Sequence, residues 1–473
     1  MVDLPRAYIE QMRRLLSGEA EAFLQSYGEP RTQGLRLNTY KIGAAREETV
    51  RSLTEAFGLE PVPWCESGYY YPEDRRPGKH PLHAAGLYYI QEPSAMSAVE
   101  LLAPAPGDVV LDLAAAPGGK STHIADKLQG KGLLVSNEIH PVRAKSLSEN
   151  VERMGIANAV VVSATPQQLA AKYPRFFDKM MVDAPCSGEG MFRKDPDAIG
   201  EWSPQHVDMC AARQLDILQA AVTMLKPGGR LAYSTCTFNE QENEQTVAAL
   251  LTRFPALRLL RMERIWPHRQ RGEGHFVALL ELAEPSAEAA ASTYSAAQGI
   301  TRRKERSARG KRATGRPEED ALRSFRRLAE SIGGAAWADE LQAWLGPGEP
   351  LLFGNQLYWF PAAEGSPLSG DGLHGLKTLR PGLHLAELKK DRAEPSHALA
   401  LALPSRLASG IPAVSLEADG GSAAERYLRG ETLDAAAPGS GWTLVTFEGF
   451  ALGWGKQSGT QIKNHYPKGL RRP

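Results

Sequence analysis

Two cysteines sit at matching places in this chain, and thiols so placed can do covalent chemistry. Cys186 follows the apolar run KMMVDA (179–184) within DAPCSGEGMFRKDP, and Cys236 follows GRLAYST (229–235) within YSTCTFNEQENE. Both runs have the length and composition of buried parallel strands, whose carboxyl ends open onto one crevice in a doubly wound sheet. Both thiols are therefore expected to line that crevice. A single buried cysteine is most often a small packing residue; two at one edge, one of them preceded by Asp183 and Pro185, fit packing poorly. The chemistry that suits a thiol beside a methyl donor is addition to carbon 6 of a cytosine, which makes carbon 5 nucleophilic enough to attack a sulfonium methyl. The proton on carbon 5 must then leave so that the sulfur can be expelled, and a second base, Cys186 or a bound water, is needed for it.

Such a crevice needs a cofactor site, and LDLAAAPGGKSTHIADKL (111–128) supplies one. An apolar strand runs into small residues, Ala114, Ala115, Ala116, Pro117, Gly118 and Gly119, and then into a helix near Lys120, so a ligand can approach backbone at a helix N-terminus. Gly119, Lys120 and Ser121 imitate the end of a P-loop, but the first glycine of that motif falls on Ala114 and the reading fails. The next apolar run ends in Asn137 and Glu138, and an acid at that tip can accept hydrogen bonds from both ribose hydroxyls of a nucleoside cofactor. A dinucleotide would use the same acid, yet the first loop lacks GxGxxG and turns on proline; a lone acid at a strand end can also simply be solvated. Asp183 is placed to accept from an exocyclic amine or a protonated ring nitrogen. Lys120, across the crevice, is placed to hold the base or to favour a thiolate, with solvation at the helix start as the alternative.

The elements that must carry these residues are legible between about 105 and 283. VVLDL (109–113), GLLVSN (132–137), AVVVSA (159–164), KMMVDA and GRLAYST alternate with helical stretches, and HFVALLEL (275–282) adds a late strand. Pro141 opens one helix and Gly155 closes it. Ser203 and Pro204 read as the N-cap and first residue of another, along which Leu215, Leu218, Val222 and Leu225 recur at helical spacing. A chain of 473 residues exceeds one core and should divide into two to four domains. With 55 basic and 55 acidic residues, any attraction to nucleic acid must come from patches, such as the eight basic residues of TRRKERSARGKRATGR, a stretch that reads as a linker. Cys65, Cys186, Cys210 and Cys236 show no CxxC pairing, which argues against a zinc site or a disulfide framework and fits a reducing compartment. No run approaches the roughly eighteen apolar residues of a membrane span and no cleavable leader is visible, so a cytoplasmic protein is expected. Near the end, WTLVTFEGFALGW suggests a small β-rich module.

Taken together, AAAPGGK, NE, DAPCSGEG and STCTFNEQENE occur in the order and at the separations of the RsmF/Sun family of RNA cytosine-C5 methyltransferases, which the chain resembles over nearly its whole length. GLRLNT (34–39) resembles that family's N-terminal RNA-binding segment, YYIQEPSAM (88–96) the lead into its catalytic domain, and EPSHALAL (394–401) and GKQSGTQIKNHYPKGLRR (455–472) its PUA-like module. The resemblance implies an α/β fold: a Rossmann-like class I methyltransferase domain with a mostly parallel, doubly wound sheet at 81–283, after an N-terminal RNA-binding segment at 1–80. A basic linker at 284–320, an intermediate region at 321–380 and the PUA-like module at 381–473 would follow. It further implies S-adenosylmethionine held by Ala114, Ala115, Ala116, Pro117, Gly118, Gly119, Lys120, Glu138, Thr165 and Asp183. Cys236 matches the family's nucleophile and Cys186 its second cysteine, used in product release, with Asp183 and Lys120 assisting. Thr165 is a departure, since that third-motif position is usually an acid.

The substrate implied by the resemblance is small-subunit (16S) ribosomal RNA, naked or within the assembled subunit, with tRNA as the runner-up. The basic stretches 302–316 and 456–472 suit either, because phosphate contacts position RNA without reading it. A DNA cytosine methyltransferase would instead attack through Pro185 and Cys186, against which the RNA-binding flanks speak. A non-catalytic assembly factor would tolerate loss of Cys236 or Asp183, and both are present. A monomer without metal, membrane or DNA partner is expected.

Overall fold

The computed structural model describes residues 3–284, 317–362, 370–390, 392–416 and 422–472. Most of the expected linker, including its basic stretch at 302–316, lies outside the described residues. At the centre of the molecule is one eight-stranded sheet. Its strands are β1 (Val109–Asp112), β2 (Leu133–Asn137), β3 (Ala159–Ser163), β4 (Phe177–Asp183), β5 (Leu225–Thr235), β6 (Leu257–Ile265), β7 (His275–Leu282) and β8 (Lys377–Arg380), in the order β6-β7-β5-β4-β1-β2-β3-β8. The first five run parallel, while β7 returns antiparallel between β5 and β6. Every residue of β1 and β2 is buried, as the continuous apolar runs require of strands covered on both faces. Strand order reverses at β1, so the loops after β1 and β4 flank the point where open α/β sheets bind ligands.

The helices that cover this sheet include α1 (Gly119–Leu128), α2 (Pro141–Arg153), α3 (Pro166–Lys172) and α4 (Pro204–Met224). Ser203 caps α4 by accepting from the His206 N–H, with Pro204 at the first position, and Gly155 follows α2 with φ +71°. Leu218 and Val222 pack into the core from α4, with Leu215 against its margin. Leu225, placed on that helix by its spacing, is instead the first residue of β5. Pro227 two residues later cannot continue a helix and disfavours helical backbone just before it.

Two features of the architecture are not evident from the motifs. The strand β8, supplied from the 321–380 region, pairs antiparallel with β3 and covers what would otherwise be a bare sheet edge. It is pinned by the buried Arg380, whose guanidinium donates to the Ile156 carbonyl at 3.2 Å and to Glu152 at 3.3 Å. Second, the GLRLNT segment faces inward. Gly34–Leu37 is the fully buried central strand of a small N-terminal sheet, and Arg36 donates to Gln91 at 3.2 Å and to Thr122 of α1 at 2.8 Å. The motif residues thus form the seam between the N-terminal region and the catalytic sheet, which is why their side chains are not available to RNA.

The C-terminal region begins with the helix Pro317–Leu345, broken at Gly334 where φ is +84°. It closes with the hairpin Leu433–Phe447 and Phe450–Asn464 foreshadowed by WTLVTFEGFALGW. Leu444 and Trp454 of this hairpin pack with the long helix, whereas Val445, Phe447 and Leu452 pack with Leu35, Leu37 and Tyr88 near the N-terminus. Within the basic tail, Arg472 donates to the carbonyls of Lys79 and His80, so its charge serves packing. Lys456 lies exposed over the Trp442 ring. Among the described residues no helix is long and apolar enough to cross a membrane.

Candidate active site

The loop after β1 is fixed from its neighbours. Asn137 at the end of β2 accepts from the Ala115 N–H through its own carbonyl, while its side chain donates to Leu113 and Ala164 and accepts from the Ala164 N–H. One side chain thereby ties three strand ends together. Arg143 donates to the Ala116 carbonyl at 2.8 Å and Asn150 to that of Pro117 at 2.9 Å. Gly118 turns with φ +116°, and a Cβ there would lie 3.3 Å from Leu147 of α2, so glycine lets the loop lie close to that helix. Lys120 enters the crevice one residue into α1.

Glu138 is buried at the tip beyond β2. Its Oε1 accepts from the His140 N–H at 2.9 Å, whereas its Oε2 has no hydrogen-bond partner and lies 3.5 Å from Arg143. Asp112, fully buried, accepts at Oδ2 from Ser121 at 2.7 Å and leaves Oδ1 unpartnered. Two buried acceptors without donors beside a small-residue loop are what a nucleoside cofactor with a ribose diol and an amino group would complete. S-adenosylmethionine fits this donor set. Thr165, at the tip beyond β3, also caps α3: its hydroxyl accepts from the Gln168 N–H, its N–H donates to the Gln168 side chain and its carbonyl accepts from the Leu169 N–H.

The loops after β4 and β5 lie side by side and bring the two cysteines together, Sγ to Sγ at 3.3 Å, both half-buried. Gly190 N–H donates to the Cys236 carbonyl at 2.8 Å, and a Cβ on Gly190 would meet that oxygen at 3.0 Å, so the strands of loop touch backbone to backbone. Ser187 and Thr237 pair their hydroxyls at 2.9 Å. Two buried carboxylates hold the arrangement. Glu242 accepts from the Ser187 N–H, Gln214 and Asn239, and Glu189 accepts from Gln11, Trp202, Asn239 and the N–H groups of Phe238 and Asn239.

Asp183 sits level with Ser234 across β4 and β5 and accepts from its hydroxyl at 2.8 Å. Its other oxygen meets the Lys120 ammonium at 2.8 Å. Burial works to raise the Asp183 carboxyl, but the Lys120 charge, acting together with the neighbouring His275 and the hydrogen bonds from Lys120 and Ser234, holds the group below the usual carboxylate range. The thiol of Cys186 is pushed well above its ordinary range, first by its hydrogen bond with Cys236 and then by burial. The two sulfurs are close enough for either thiol to donate to the other. The structure thus collects Lys120, Asp183, Cys186 and Cys236 at one edge beside the loop 114–119 and Glu138. Asp112, Glu189 and Glu242 were not singled out from sequence; for Asp112 the available signal is a carboxylate inside the apolar run VVLDL.

A doubly wound sheet with a small-residue loop after its first strand, a buried acid beyond its second and reactive side chains after its fourth and fifth defines a class I S-adenosylmethionine-dependent methyltransferase. Comparison with known proteins narrows this class. Residues 99–281 match the family 16S rRNA methyltransferase RsmB/F, 4–93 the N-terminal domain of 16S rRNA methyltransferase RsmF, 336–403 its first C-terminal domain and 416–472 its PUA domain. A Shigella boydii protein named ribosomal RNA small subunit methyltransferase F is 32% identical over 503 residues, covering 100% of this chain and 97% of its own. The Cronobacter sakazakii protein of that name is 33% identical over 500 residues with the same coverage. A solved methyltransferase homolog protein from Pyrococcus horikoshii superposes with a TM-score of 0.54 at 26% identity, over 59% of this chain and 96% of that one. The chain belongs to the ribosomal RNA small subunit methyltransferase F family.

Proposed function

We propose that this protein forms 5-methylcytosine in small-subunit (16S) ribosomal RNA, with Cys236 as the covalent nucleophile. The observation that carries the assignment of roles is the sulfur pair at 3.3 Å next to the Lys120 and Asp183 ion pair. S-adenosylmethionine, when bound, would supply the electrophilic methyl group and would be held by residues 114–120, Glu138, Thr165 and Asp183. Cys236 adds through sulfur to carbon 6 of the cytosine, and the Cys186 S–H steadies that sulfur as an anion. Asp183 accepts from the exocyclic amine while Lys120 offsets the negative charge that the ring gains on attack. Once carbon 5 is methylated and its proton is lost to a base, the carbon–sulfur bond breaks. Its electron pair returns to Cys236, and Cys186 is placed to protonate the departing sulfur.

The same reading has the protein act as a monomer in the cytoplasm, on RNA and not on DNA. Cys236→Ala is expected to abolish methylation, whereas Cys186→Ala still attacks and accumulates a protein–RNA adduct seen as a retarded band on a denaturing gel. Reversed phenotypes would assign attack to Cys186, and equal activity in both variants would favour an assembly role without catalysis. Mapping 5-methylcytosine in a deletion strain separates ribosomal RNA from tRNA as the substrate.

A further inference from the structure

His275 opens β7 at the same edge of the sheet, and nothing in the reaction as described uses it. It is 5% exposed, and its Nε2 is buried without a hydrogen-bond partner. Pairing of Phe276 with Thr235 puts His275 level with the residue after β5, which is Cys236. It shares a sheet face with Val277, whose partner on β5 is Ser234, and Ser234 in turn stands level with Asp183 on β4. The approach to this position is fixed: Gly274 has φ +118°, donates to Ser94, and would drive a Cβ into the Phe238 ring at 2.2 Å. Burial and the Lys120 charge keep the imidazole neutral, so one ring nitrogen carries a free lone pair.

A buried lone pair of this kind answers a need of the site. The Lys120 side chain is 8% exposed and its ammonium rests on Asp183. When a cytosine amine competes for that carboxylate, whose side chain is 37% exposed, the mostly buried ammonium is left short of protein acceptors, which is costly. We propose that His275 is the positioning residue for this step: its Nε2 accepts from the Lys120 ammonium as the base engages Asp183, and so keeps Lys120 aimed at the ring. This inference rests on the roles proposed above for Lys120 and Asp183.

The test compares His275→Phe, His275→Gln and His275→Asn in the full-length protein, with Cys236→Ala in parallel. Glutamine can present a carbonyl oxygen near the Nε2 position, asparagine is too short, and phenylalanine offers no acceptor. His275→Phe is expected to lower kcat about tenfold or more while changing the RNA KM less than about twofold and leaving S-adenosylmethionine binding by equilibrium dialysis intact. His275→Gln should recover most of kcat and His275→Asn should not. Equal kcat in the glutamine and asparagine variants overturns the proposal, and this comparison stands even if the phenylalanine variant does not fold. A kcat for His275→Phe within about twofold of wild type also overturns it, as do losses in all three variants that merely follow Tm and cofactor binding. Methylation by Cys236→Ala would instead sink the functional reading itself, whatever the histidine variants do.

Discussion

Asp112 carries an ionisation that changes of pH near neutrality reach. Burial raises its carboxyl, the Ser121 hydroxyl pulls it back, and the Asp183 charge raises it again, to about 7. A carboxyl whose folded value lies above its unfolded one stabilises the fold fully below about pH 4 and loses that contribution as pH climbs through about 7. Asp112→Asn should therefore match wild type near pH 4 and gain on it toward pH 8, read as the urea midpoint; a gap that does not grow with pH contradicts this. Glu138 and Thr165 make a contrasting pair. Removing the free acceptor in Glu138→Ala is expected to weaken S-adenosylmethionine binding about tenfold. Thr165→Val should leave binding within about twofold and instead cost about 1 kcal/mol of stability, since its hydroxyl is a cap; calorimetric titration and denaturant unfolding separate the two. Cys186, Cys236, Asp183 and Glu138 were readable from sequence because each sits one or two residues from the end of an apolar run. The capping role of Thr165 was written three residues on, in Gln168, and was hidden by the motif position it shares.

At the scale of elements, the two cysteine loops are held in contact by carboxylates that the sequence places among ordinary acids. Glu189 is fully buried and receives donors from Gln11 on the N-terminal helix Arg6–Leu16, from Trp202 and from the loop after Cys236. Glu189→Ala strands several of these donors and is expected to cost about 3 kcal/mol or more by denaturant unfolding, with the loss of methylation exceeding what the unfolded fraction explains. Little change in either measurement would show that the loops hold without it. The catalytic strands could be foreseen because parallel strands buried on both faces are short and wholly apolar. β8 could not, because KTLR has no apolar run and becomes a strand only by pairing with an edge formed more than two hundred residues earlier in the chain. Leu225 was misplaced for the reverse reason: helical spacing persisted one residue past the point where proline ends the helix.

The whole molecule is closed by contacts between segments far apart in sequence. Leu35, Leu37, Leu82 and Tyr88 share one apolar cluster with Tyr427, Val445, Phe447 and Leu452. A chain ending after residue 412 would leave that N-terminal surface in water. We expect it to bind a hydrophobic dye and to lose the protease resistance of the first hundred residues even though Lys120, Asp183, Cys186 and Cys236 are all present; a compact, dye-free truncation would show that the cluster is dispensable. During synthesis the same geometry imposes an order of events. The N-terminal region emerges from the ribosome long before the hairpin that covers it, so its apolar face must wait, shielded by chaperones or by transient collapse, until that hairpin is released. Closure of the N-terminal region is therefore set by the arrival of a hairpin made some four hundred residues later, and a chain stalled or terminated before it yields a degradation target that already carries Lys120, Asp183, Cys186 and Cys236.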